Sequence, residues 1–140
     1  MPDKYFIDTN ILVYSFDRTS PEKRAKSLSI IKNAISDGIG VISFQVVQEF
    51  LNVATRKFEK PMLPSDAREF LDTVLIPLCE IFPSHQFYRS ALEIQERTSY
   101  SLYDSMILQA ALGARCRVLY SEDMQDGFKF FDLTVKNPFR

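Results

Sequence analysis

Hydrophobic positions along the chain alternate between short continuous runs and helical spacing. Tyr5-Phe6-Ile7 reads as a short buried strand, and Ile11 to Tyr14 as the start of a helix or a tight helical turn. Asp17 to Pro21 is a polar break. Ser20 is placed to cap a helix reaching about Asp37, with Pro21 in its first turn and Gly38 and Gly40 as the stop. The buried face of this helix is expected at Ala25, Leu28, Ile31 and Ile35, which follow three- and four-residue spacing. Gly40-Val41-Ile42 is a second short strand. Ser43 then caps a helix whose buried face comprises Val46, Val47, Phe50, Leu51 and Ala54.

The second half repeats the alternation. Pro61 and Pro64 punctuate a loop, Ser65 is a further cap, and Ala67, Phe70, Leu71, Val74 and Leu75 mark a helix ending near Pro77. Cys79 to Phe82 reads as a third strand. Ser84 caps a helix to about Arg97, with Phe87, Ala91, Leu92 and Ile94 among its apolar positions. Ser101, with Asp104 three residues on, has the spacing of a capping box. Met106 to Ala114 is nearly all apolar and belongs near the centre, with Gly113 as its stop. Arg117 to Tyr120 is a fourth strand and Phe131 to Val135 a fifth. Short strands alternating with helices predict an α/β sandwich with a mostly parallel sheet of four to five strands. With no repeat, low-complexity segment or linker, residues 1–140 read as one domain.

Composition narrows the picture. The chain has 140 residues, 46% of them hydrophobic, with twelve phenylalanines and six tyrosines, which excludes a disordered protein. Seventeen basic against eighteen acidic residues exclude a non-specific, histone-like nucleic-acid binder. They leave room for an enzyme that grips a phosphate backbone locally. Cys79 and Cys116 lack metal-ligand spacing and read as buried free thiols of a reducing cytosol. The stretch behind Met1-Pro2-Asp3-Lys4 is too short for a signal peptide, and no run of about 18 apolar residues predicts a membrane span. The expected compartment is the cytoplasm.

Four acidic residues carry the candidate chemistry. Asp8 ends the first apolar run, Glu49 lies within the Ser43–Leu51 helix, Asp104 opens the apolar helix, and Asp123 follows the fourth strand. Each also has a purely structural reading: a helix cap for Asp8, a surface position for Glu49, a favourable helix-dipole charge for Asp104, a turn for Asp123. In a parallel α/β sheet, however, the carboxyl ends of strands and the following helix starts form the ligand crevice, and all four fit one edge. Carboxylates beside a core are costly without a positive partner, and few basic residues neighbour these. A divalent cation answers that need. An oxygen-only set without His or Cys selects a hard ion, Mg²⁺ or Mn²⁺, and phosphodiester hydrolysis best uses it.

Four segments in order make the chain resemble PIN-domain ribonucleases, particularly the small VapC-type toxins of toxin–antitoxin pairs. They are the run into Asp8-Thr9-Asn10-Ile11-Leu12, the mid-chain Glu49, Tyr103-Asp104-Ser105 opening an apolar helix, and Leu119-Tyr120-Ser121-Glu122-Asp123. The resemblance covers nearly the whole chain. It implies a three-layer α/β/α sandwich, an Mg²⁺- or Mn²⁺-dependent endoribonuclease acting on RNA, a homodimer and a cognate antitoxin protein. It also implies Asp8, Glu49 and Asp104 as core metal ligands, Asp123 as the fourth acidic residue, and Ser121 and Asn10 as supports. Asp126 is an alternative or supporting acid, whereas Glu122 is expected to face solvent. Candidate phosphate contacts are Arg18, Lys23, Arg24, Arg56, Lys57 and Arg97, each of which also reads as a solvated charge. His85 reads as a surface or capping residue. Phe128, Phe130, Phe131 and Phe139 read as core or dimer surface rather than a base-stacking platform. The competing functions are a structure-specific DNA nuclease with the same cluster and a non-catalytic adaptor on the same fold.

Overall fold

Strand β1 (Tyr5–Ile7) is the centre of the molecule, of which the computed structural model describes residues 3–140. Met1 and Pro2, where the expected absence of a signal peptide begins, lie outside the described residues. β1 pairs in parallel with β2 (Gly40–Ser43) on one side and β4 (Val118–Tyr120) on the other. β3 (Cys79–Ile81) extends the sheet beyond β2 and β6 (Leu133–Lys136) beyond β4, both parallel. β5 (Lys129–Phe130) runs antiparallel to β6 at the edge, giving the order β3-β2-β1-β4-β6-β5. Successive residues of a strand point to opposite faces. Phe6 and Ile7 are both fully buried, as are Val41 and Ile42, so layers of helix cover both faces in an α/β/α sandwich.

The helices are α1 (Thr9–Tyr14), α2 (Pro21–Asp37), α3 (Phe44–Arg56), α4 (Pro64–Phe70), α5 (Ile76–Leu78), α6 (His85–Thr98) and α7 (Leu102–Gly113). Ser84 Oγ accepts from the Phe87 N–H at 3.0 Å and Ser101 Oγ from the Asp104 N–H at 3.1 Å, so both expected caps form. Ser20 and Ser43 occupy cap positions without a side-chain cap bond, and Ser65 is no cap, because α4 begins one residue earlier at Pro64. The helical run ends at Leu78, one residue past Pro77, as expected. A π-helical turn over Leu71–Leu75 precedes Pro77, the kind of local widening that accommodates a proline within a helical run.

Three other expectations are corrected. The buried face of α2 is Ser27, Ile30, Ile31 and Ala34, while Ile35 is 52% exposed and Ala25 is also exposed. The cause is the seam with β2: a Cβ on Gly40 would collide with Ala34 Cβ and stand 2.9 Å from the Tyr5 ring. Ala34 must face the sheet, which turns Ile35 outward. Leu92 of α6 is likewise exposed. The predicted fifth strand is half of a hairpin: Phe131, at φ 54°, and Asp132 turn the chain between β5 and β6. Phe131 stands 73% exposed at the tip, whereas Phe128, Phe130 and Phe139 pack against the core. Cys116 is buried, Cys79 only partly, and both are free thiols. Among the described residues no helix is long and apolar enough to cross a membrane.

Candidate active site

The chain builds β2 and β3 on one side of β1, then returns to lay β4 on the other, so the strand order reverses between β1 and β4. Such a switch point opens a crevice at the carboxyl ends of the strands. Ile7 stands opposite Tyr120, and the Asp8 N–H donates to the Tyr120 carbonyl at 3.0 Å. The ladder therefore continues one residue past β1 and sets Asp8 beside Ser121.

Asp8 is 6% exposed. Its Oδ1 accepts from the Thr9 N–H at 2.7 Å, capping α1, and its Oδ2 accepts from the Ser121 hydroxyl at 2.8 Å. The capping reading therefore holds for Oδ1, while Oδ2 is turned toward Ser121. Burial outweighs both hydrogen bonds and pushes the carboxyl up to about 7, with the charges of Asp123 and Glu49 adding to it. Glu49 reaches from α3 to accept from the Thr9 hydroxyl at 3.1 Å. Its carboxyl is raised by burial, and further by Asp104 and Asp123, against the hydrogen-bonding help of Thr9 and Gln45. Asp123 is raised by burial and then by Asp104 and Glu122, with Asn10 opposing. Asp104 lies in the first turn of α7, its backbone held by Ser101. Four elements thus deliver four carboxylates that feel one another's charge.

Positive charge is missing where it would relieve them. The ion pairs among the described residues are Lys4–Glu80, Lys23–Glu122 and Arg117–Asp3, and none includes the four acids. Their hydrogen-bond donors are neutral hydroxyls, amides and backbone. Asn10 Oδ1 is buried there without a partner. Among the described residues no group of three or more Asp, Glu, His or Cys side chains stands close enough together to hold a metal ion as placed. An open, oxygen-only set fits Mg²⁺ or Mn²⁺ better than Zn²⁺, since Mg²⁺ keeps several waters and takes only one or two carboxylates directly. The oxygen-only chemistry of Asp8, Glu49, Asp104 and Asp123 is that of a hard divalent ion rather than of Zn²⁺.

The remaining sequence candidates are placed as follows. Asp126 is exposed and accepts from the Asn137 N–H at 2.8 Å, fastening its loop to the chain after β6. Glu122 does not simply face solvent: it pairs with Lys23 at 2.9 Å and accepts from the Tyr14 hydroxyl at 2.9 Å. Fixing Glu122 there leaves its neighbour Asp123 to the acid group. Arg18 and Arg24 line a cleft of about 330 Å³ with Phe16, Leu28, Ile31 and Phe70, and Arg24 Nε is buried without a partner. Arg56, Lys57, Arg97 and His85 are exposed. Sequence reasoning passed over Thr9, Gln45 and Tyr14. None of the three stands out in the sequence: Gln45 shares its helical face with Gln48, Glu49 and Asn52, so it reads as one more polar position.

Comparison with known proteins adds the family. Among curated protein sequences none matches the chain. VapC20 of Mycobacterium tuberculosis, described as a sarcin-ricin loop cleaving toxin, superposes with a TM-score of 0.61 at 15% identity, covering 86% of this chain and 90% of that one. VapBC2 of Rickettsia felis, solved bound to a DNA fragment from its promoter, gives a TM-score of 0.62 at 18% identity, covering 94% and 96%. At these identities the likeness is one of fold. A profile of the PIN domain matches residues 5–129, from β1 through the acid group to β5. The chain belongs to the PIN-domain family.

Proposed function

We propose that this protein is an Mg²⁺- or Mn²⁺-dependent endoribonuclease that hydrolyses RNA phosphodiester bonds, and the toxin of a toxin–antitoxin pair. The reading is supported by the way that, on top of burial, Asp123 and Glu49 raise Asp8, and Asp104 raises both Glu49 and Asp123, while among the described residues no ion pair reaches any of the four. A bound divalent ion supplies charge neutralisation for the phosphoryl group and lowers the pKa of a coordinated water. The chain's own residues do the rest. Ser121 and the Thr9 N–H occupy both oxygens of Asp8 and hold it in place. Glu49 and Asp123, open to solvent, would hold the ion and orient an attacking water beside it. Exposed Arg56, Lys57 and Arg97 are candidates to position the RNA backbone, and Asn10 supports Asp123.

The toxin assignment is supported by the fold shared with VapC20 and VapBC2 across most of the chain. With it come a cognate antitoxin protein as partner and a cytoplasmic setting. A homodimer is supported by Phe82, Tyr88 and Leu92, large apolar side chains exposed at the start and along one side of α6.

The test is cleavage of structured RNA and of single- and double-stranded DNA by purified protein, with EDTA, Mg²⁺ and Mn²⁺ arms, beside Asp104→Asn. RNA cutting that needs the metal and falls by at least about 100-fold in the variant is expected. Preferential DNA cutting would make it a DNA nuclease instead. Absence of metal-dependent cutting from folded protein free of inhibitor would favour an adaptor.

A further inference from the structure

Gln45 is the most deeply buried polar amide in the molecule's working region, 4% exposed in the first turn of α3. Its place is not explained by its own hydrogen-bonding needs. Nε2 donates to the Tyr103 carbonyl on α7 at 3.3 Å, while Oε1 is buried without any partner. A glutamine left half-satisfied in the interior costs stability that an apolar residue of the same length would not. Position 45 also lies one helical turn before Glu49, so both side chains project from the same side of α3. Tyr103 immediately precedes Asp104. The amide therefore stands between the two helices that deliver two of the four acids.

We infer that Gln45 is a positioning residue whose NH₂ group bridges Glu49 on α3 to the Tyr103 carbonyl on α7, fixing Glu49 relative to Asp104. An NH₂ group carries two hydrogens, one for each acceptor. The Gln45 side chain also counts among the groups that favour the charged form of Glu49. Thr9 holds Glu49 from the α1 side, so the carboxylate is braced between both neighbouring helices. Its calling Glu49 and Asp104 metal ligands rests on the function proposed above. The bridge itself does not.

Gln45→Met keeps length and helix preference but removes the amide, and Gln45→Leu is a second variant should the first fail to fold. Two readouts separate the inference from the functional reading. In metal-free protein, the urea midpoint is expected to fall more with Gln45→Met in the wild-type background than in Glu49→Ala. Equal shifts in both backgrounds would overturn the bridge. In calorimetric titration with Mn²⁺, Gln45→Met is expected to weaken binding about tenfold, with no further loss in the Glu49→Ala background. Unchanged Mn²⁺ affinity would overturn the positioning role. A wild type that takes up no Mn²⁺ but shows the coupled urea midpoints would sink the metal reading and leave the bridge standing.

Discussion

Asp8 engages both of its oxygens, capping α1 through Oδ1 and accepting from the Ser121 hydroxyl through Oδ2. Burial makes its negative charge expensive, and this has a consequence for pH. In the folded chain its carboxyl holds a proton up to about 7, against 3.8 for the ordinary group. Between those values the unfolded chain binds fewer protons than the folded one. The metal-free protein therefore loses stability as pH rises through that window and levels off above it. Asp8→Asn removes the charge and should melt higher than wild type at about pH 8, by about 1–2 kcal/mol, with the advantage gone toward about pH 4. The gain stays below the roughly 4 kcal/mol that a shift of this size represents, because an amide nitrogen would then face one of the two donors. Thermal unfolding across pH measures it, and a lower melting point at the alkaline end would contradict it. Ser121 was expected as a support only through the resemblance to PIN-domain ribonucleases, and its hydroxyl does bond Asp8. Gln45 was not expected, because its role depends on Tyr103, 58 residues away in the chain.

At the scale of elements, what was legible is what depends on neighbours in sequence. Ser84 and Ser101 cap as expected because a cap bond spans three residues. The outward turn of Ile35 depends instead on the approach of α2 to β2, which helical spacing does not encode. That seam gives a prediction: Gly40→Ala should destabilise by about 1–3 kcal/mol in urea unfolding, since the added methyl would collide with Ala34 and crowd the backbone of α2. A neutral substitution would mean that the helix rides higher on the sheet. The β5–β6 hairpin escaped notice because its turn lacks the usual Gly or Asn signal. Phe131 takes the positive φ instead, and Phe130-Phe131 reads as continuous strand.

The whole molecule owes its site to strand order. Placing β1 between β2 and β4 makes the switch point central, and the residues following β1 and β4 become neighbours although 113 positions separate Asp8 from Ser121. Tyr88 and Leu92, one turn apart on α6, are among the large apolar side chains this packing leaves exposed. The proposed homodimer should appear in light scattering at micromolar concentration, and Tyr88→Glu with Leu92→Glu should give a folded monomer whose melting point no longer depends on protein concentration. A wild type that is already monomeric would remove the dimer from the account.

The central claim is that four carboxylates are assembled here for a divalent cation. Calorimetric titration of Mn²⁺ at about pH 6.5 into wild type, Asp8→Asn and Asp104→Asn tests it most directly. Binding to the wild type with proton release is predicted, because Asp8 is partly protonated at that pH and must ionise. Either substitution should weaken binding by on the order of 100-fold. No binding to the wild type, or equal binding to all three proteins, would contradict the account.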